Sequence, residues 1–294
     1  TACMATLKDR LPDFIALMRL DRPIGIWLLL WPTWWAVWVA GDGHPSAHIV
    51  LIFTLGVVLM RSAGCVINDY ADRHWDGEVS RTAERPLVTG RISANEALAL
   101  FALLIAASAS LLLWLNRDTF YWSFGALALA TLYPFMKRYT YLPQVVLGAA
   151  FSWAIPMAFV AQGKSPDALC WLLYSANLAW TVAYDTQYAM CDRDDDLKAG
   201  IKSTAILFGE LDLFMVAMLQ GLFLLGLAFI GAQLNLGWPW QAGLGIATVL
   251  FALQAWQTRQ REPSACLNAF KNNHVVGLVV FIALLGGWLF RSTT

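Results

Sequence analysis

The chain has 294 residues, of which 59% are hydrophobic and 14% charged, with 15 Trp and 16 Phe. An average soluble domain is about 25% charged, and a soluble chain of this length cannot hide that much apolar surface. An integral membrane protein is therefore expected, and disorder, a collagen-like repeat and a disulfide scaffold are excluded. The 20 basic and 20 acidic residues balance to zero, so nucleic acid is not an expected partner.

Taken in chain order, apolar runs near the length of a bilayer span fall at 23–40, 48–67, 94–115, 118–134, 143–162, 166–188, 209–232, 237–256 and 272–290. Nine helices are predicted, several with internal Pro (Pro32, Pro134, Pro156), which helices in bilayers tolerate when neighbours re-satisfy the backbone. The five Cys are scattered without a Cys-x-x-Cys pair and read as small apolar fillers. The start, Thr1-Ala-Cys-Met, lacks the pattern of a cleavable signal peptide.

The zero net charge conceals a segregation. Sixteen of the basic residues fall before span 1 or in the loops after spans 2, 4, 6 and 8. Only Arg117, Lys164 and Arg291 fall on the opposite side, and Arg61 lies inside span 2. The positive-inside rule then puts the N-terminus in the cytoplasm and, after nine spans, the C-terminus outside. The long, densely charged loops after spans 2 and 6 place function at the cytoplasmic face.

Each of those loops continues an acidic stripe. At 100° per residue, Arg61, Asn68, Asp72 and Asp76 fall within about 80° on a helix. By the same count Asp185, Asp192 and Asp196 fall within about 40°. Like charges at i, i+4 destabilise an isolated helix, and Asp or Asn inside an apolar span is costly and functional by default. Carboxylates and an amide on facing helices are hard oxygen ligands suited to Mg²⁺, which is commonly held by a few carboxylates together with substrate phosphates. A His or Cys cluster suited to zinc is absent from the sequence. Arg81, Arg85, Lys137 and Arg138 stand at the same face, where Arg binds diphosphate oxygens as a planar fork and Lys as a point charge.

At these residues the chain resembles the UbiA family of intramembrane prenyltransferases. One family motif, Asn-Asp-x-x-Asp-x-x-x-Asp, stands as Asn68-Asp69-Tyr-Ala-Asp72-Arg-His-Trp-Asp76, and the other, Asp-x-x-x-Asp, as Asp192-Arg-Asp-Asp-Asp196. The resemblance covers nearly the whole chain, read as one domain over residues 1–294, and includes Asp21-Arg22-Pro23 before span 1. The run from Tyr184 to Asp196, with Gly200-Ile-Lys-Ser-Thr after it, points to the branch that prenylates 4-hydroxybenzoate in ubiquinone biosynthesis.

The resemblance implies an all-α fold of nine transmembrane helices around a central cavity, with helical caps on the cytoplasmic side of a bacterial inner membrane. It implies Mg²⁺ on Asn68, Asp72, Asp76, Asp192 and Asp196, with Asp69 and Asp185 as further candidates. Arg81, Arg85, Tyr133, Lys137 and Arg138 match positions near the diphosphate of a polyprenyl diphosphate. Arg22 and Arg61 match positions lining the cavity, where either would meet the carboxylate of 4-hydroxybenzoate. Asp192 is the candidate proton acceptor. Within the chain, Asp72 or Asp76 is the expected ion-pair partner of Arg61.

Overall fold

A computed structural model of the protein describes residues 7–74, 77 and 82–291, with side chains from residue 10 onward. Asp76 and Arg81, two of the predicted site residues, lie outside the described residues. The described residues form helices α1 (Leu7–Leu17), α2 (Ile24–Ala40), α3 (Ala47–Asp72), α4 (Ala94–Leu111) and α5 (Arg117–Tyr139). They continue with α6 (Pro143–Ser152), α7 (Ala154–Ala161), α8 (Ala168–Cys191), α9 (Arg193–Ala199) and α10 (Thr204–Phe208). The last three are α11 (Asp212–Gln233), α12 (Trp238–Thr258) and α13 (Pro263–Leu289). Among the described residues there is no strand.

Every predicted apolar run is helical. Local chemistry sets several of the starts. Ser46 accepts from the Ile49 N–H, Asn116 from Thr119 and Asp167 from Cys170, and Ser93 with Glu96 forms a reciprocal capping box. Among the described residues, five helical stretches are long and apolar enough to cross a membrane: Ala47–Asp72, Ala94–Trp114, Pro143–Ala161, Thr204–Gln233 and Pro263–Leu289. Helix α2 is apolar but has 17 residues.

Three boundaries differ from the sequence reading. The fifth run bends at Trp153 and so divides into α6 and α7. Helix α13 begins at Pro263, well before the apolar stretch, because Pro suits a first helical turn. The second acidic stripe does not lie on one continuous helix. Helix α8 ends at Cys191, Asp192 caps it at φ −102° and ψ 6°, and α9 starts afresh at Arg193. Asp185 and Asp192 belong to the end of α8, whereas Asp196 belongs to the short cap helix. The expected helical caps are present after α8 as α9 and α10, while residues 82–92 run as turns.

The helices close on themselves. Packing runs from α2 to α3, α3 to α5, α5 to α6 and α7, α6 to α8, α8 to α11, α11 to α12, α12 to α13, and α13 back to α2. The core is aromatic. Trp180 stacks on Phe223 with centroids 5.1 Å apart, and Trp35 lies 5.3 Å from Trp180. Such contacts add about 0.5–1.5 kcal/mol each beyond burial. Behind α8, Gln254 accepts from Gln187 at 3.1 Å and from Gln220 at 3.0 Å, and donates to Asn272 at 3.1 Å. That amide network ties α8, α11, α12 and α13 in the buried interior, where an unpaired polar group is costly.

Candidate active site

One cavity of about 1380 Å³ occupies the space between α2, α3, α4, α5, α6, α7, α8 and α13. One end is charged. Asn68, Asp69 and Asp72 reach it from α3, Asp185 and Asp192 from the end of α8, and Asp196 from α9. Arg22, Arg61, Arg85, Tyr133 and Lys137 line it as well. The rest of the wall is apolar, built from residues such as Phe53, Leu112, Phe124, Leu127 and Met157. The two acidic motifs therefore meet although more than a hundred residues separate them.

The carboxylates on α3 differ in their partners. Asp69 is almost fully buried, and both its oxygens accept from Arg19 Nη2 at 3.0 Å. Arg85 Nη1 lies 2.9 Å from the same carboxylate. Asp69 thus joins the end of α1, the turns after α3, and α3 itself. Arg19 holds a left-handed backbone at φ 57°, uncommon for a non-glycine residue, and this aims its side chain back at Asp69. Asp72, also almost fully buried, pairs with Lys137 Nζ from the last turn of α5. An ammonium against so deeply buried a carboxylate supplies the positive charge that such a group requires.

Arg138 does not line the cavity. Its Nη2 donates to the carbonyl of Ala71 at 2.5 Å, near the C-terminal end of α3, where a cation also suits the helix dipole. Arg22 lines the mouth, and its side chain is largely exposed beside Asp21.

Arg61 does not pair with Asp72, the expected partner that lies among the described residues. Its Nη1 donates to Cys65 Sγ at 2.9 Å, one turn along α3, and its guanidinium carbon lies 5.8 Å from the centre of the Phe151 ring. Its Nε is shielded and has no hydrogen-bond partner. Lys137 occupies Asp72 instead, because α5 delivers an ammonium at the rim while Arg61 sits about three turns deeper than Asp72 along α3. Among the described residues, Arg61 is thus a cation facing the cavity without a carboxylate salt bridge.

Several lining residues escaped the sequence reading. Arg19 looked like one of many positive-inside residues, and its left-handed conformation left no trace in the sequence. Lys271 and His274 line the cavity from α13, with His274 Nδ1 2.7 Å from the Lys271 carbonyl. The signal was hidden because the predicted span began at residue 272, which left Lys271 in the preceding loop, whereas α13 begins at Pro263 and carries both. Tyr184 and Tyr188 join Tyr133 and Phe270 in giving the polar half of the cavity an aromatic lining.

Among the described residues, no group of three His, Cys, Asp or Glu stands close enough together to hold a metal ion. The chemistry of the donors nevertheless fits a hard cation. Every candidate offers oxygen, and the described ones face one cavity.

The sequence matches the model of the UbiA prenyltransferase family over residues 29–285. It is 59% identical to the 4-hydroxybenzoate octaprenyltransferase of Ectopseudomonas mendocina over 285 residues, which cover 97% of this chain and 96% of the relative. It is 60% identical to the enzyme of that name from Azotobacter vinelandii, with 96% of each chain covered. The fold resembles that of a UbiA homolog from Aeropyrum pernix K1, with a TM-score of 0.78 and 24% identity over 88% of this chain and 96% of that one. It also resembles a UbiA homolog from Archaeoglobus fulgidus bound to GPP and Mg²⁺, with a TM-score of 0.70 and 20% identity over 93% and 99% of the two chains.

Proposed function

The chain belongs to the UbiA prenyltransferase family, and from that premise we propose that it transfers a polyprenyl group from a polyprenyl diphosphate to 4-hydroxybenzoate. The new bond forms at the ring carbon ortho to the hydroxyl, in ubiquinone biosynthesis. The observation that carries the reading is a single cavity that joins a rim of carboxylates and bases to an apolar wall. A polyprenyl diphosphate has the same division, a charged head on a tail soluble only in lipid. The relatives' names favour an octaprenyl donor.

Mg²⁺, held by Asn68, Asp72, Asp76, Asp192 and Asp196, would offset the charge of the diphosphate and promote ionisation of its C–O bond. Arg81, Arg85, Tyr133 and Lys137 receive the diphosphate oxygens. Arg138 contributes from behind by holding the end of α3 through Ala71. Asp69 keeps Arg85 in place. The apolar wall keeps water from the allylic cation, which water would convert to the alcohol. Aromatic faces at Tyr133, Tyr184, Tyr188 and Phe270 attract that cation. Arg61 binds the benzoate carboxylate inside the cavity, with Arg22 at the mouth, so that the electron-rich ring faces the donor. Asp192 takes the ring proton after attack. Asp185, one turn inward from Tyr188, adds negative charge at the cationic carbon.

The chain acts as one domain spanning residues 1–294 with nine transmembrane helices in a bacterial inner membrane. The N-terminus and charged rim face the cytoplasm and the C-terminus lies outside, a reading supported by the asymmetry of Lys and Arg. The test is a product mass. Purified protein given 4-hydroxybenzoate, octaprenyl diphosphate and Mg²⁺ should yield a 3-octaprenyl-4-hydroxybenzoate. Competing acceptors such as homogentisate or a naphthoate should fail to displace 4-hydroxybenzoate. No prenylated acid, or preference for another acceptor, overturns the proposal.

A further inference from the structure

Gly25, in the first turn of α2, packs against the Arg61 side chain. A Cβ built on Gly25 would collide with Arg61 Nε and would lie 2.5 Å from Nη2 and 2.8 Å from Cζ. The three nearest atoms all belong to that one guanidinium. Nothing in the backbone asks for glycine here, since Gly25 is helical without a positive φ, and glycine is the weaker helix former by about 1 kcal/mol against alanine. The missing side chain therefore makes room for Arg61.

The slot has three walls. Gly25 comes from α2, Cys65 from α3 takes Nη1, and Phe151 from α6 offers its ring face. A guanidinium pressed against bare helix backbone is held in one orientation, with its shielded Nε lacking a partner. A fork fixed in this way suits a planar carboxylate better than a neutral group.

We infer that Gly25 is the positioning residue for acceptor specificity: by leaving space for the Arg61 fork, it makes the cavity select an aromatic acceptor that carries a carboxylate. This rests on the assignment of Arg61 to the acceptor acid.

The experiment is a double-mutant cycle on the full-length protein in detergent with Mg²⁺, using Gly25→Ala, Arg61→Ala and the double variant. Acceptors are 4-hydroxybenzoate and its neutral analogue 4-hydroxybenzamide. The colliding atoms are the end of a flexible side chain, so Gly25→Ala should fold and simply displace Arg61. The variant should raise KM for the acid about tenfold, leave KM for the prenyl diphosphate within about twofold, and erase most of the preference for acid over amide. In the Arg61→Ala background the same substitution should change neither acceptor's KM, because no guanidinium remains to displace.

If Arg61→Ala leaves the acid's KM unchanged, the assignment of Arg61 fails and this inference with it. If Arg61→Ala raises the acid's KM but Gly25→Ala does not, only the inference about Gly25 is overturned. A Gly25→Ala effect that persists without Arg61 marks a general distortion and overturns it too. Should Gly25→Ala elute as aggregate while the double variant elutes as a monodisperse peak, the clash with Arg61 is the cause and the inference stands. Aggregation of both overturns it.

Discussion

Asp69 lies within the first acidic motif but is held by two guanidinium groups, so Asp69→Asn should act on stability before chemistry. The substitution keeps the shape and one oxygen acceptor while removing the charge. Hydrogen bonds to charged groups contribute about 1.5–3 kcal/mol each, and neutral ones about 1. The Arg85 side chain is 13% exposed, so its loss is estimated at about 2 kcal/mol. Arg19 is 28% exposed, and water screens it, so about 1 kcal/mol is assigned there. The sum, about 3 kcal/mol, corresponds to a Tm lower by about 5 °C for a chain of this size. Because Arg19 ends the segment that carries α1, protease cleavage between α1 and α2 should also accelerate. The assay is fluorescence-detected size exclusion after heating, paired with limited proteolysis and turnover of labelled prenyl diphosphate. Turnover should persist at permissive temperature with a donor KM raised a few fold, since Arg85 loses its anchor. An unchanged Tm together with abolished turnover would refute the reasoning and make Asp69 a cation ligand.

Asp72→Ala or Asp192→Ala should abolish product formation while the protein still elutes as a folded species, and near-normal activity of both at limiting Mg²⁺ would sink the metal-site assignment. Treatment with EDTA should stop the reaction and Mg²⁺ should restore it, with Zn²⁺ a poor substitute for an all-oxygen ligand set; full turnover after thorough chelation would contradict the proposal. Gln254→Leu removes three hydrogen bonds of the buried amide network. At about 0.6 kcal/mol per bond inside a membrane, it should destabilise the fold by about 2 kcal/mol, seen as a lower Tm with unchanged substrate KM values.

Much of this protein was legible in one dimension. Apolar runs marked the long helices, because burial in lipid requires a long apolar stretch whatever its neighbours are, whereas the shorter, more polar α1 and α9 and the short α10 lay outside every run. The acidic motifs were readable too, since carboxylates one turn apart beside an apolar span conflict with both helix and membrane unless something cationic answers them.

What answers them depends on the tertiary structure. Asp69 and Asp72 sit on one face of α3 at similar burial, yet one faces Arg19 and Arg85 and the other Lys137. Only the approach of α1, the turns after α3, and α5 decides which. The break at Asp192, which separates Asp185 from Asp196, likewise comes from the way α9 turns over the rim. Gly25 was silent in the sequence as one small residue in an apolar run, because its meaning lies in the guanidinium that packs against it from another helix. Periodicity records what each helix needs along its own length. Which side chains share a cavity is set by distances across the fold, and a single sequence carries those only through the energy of the folded whole.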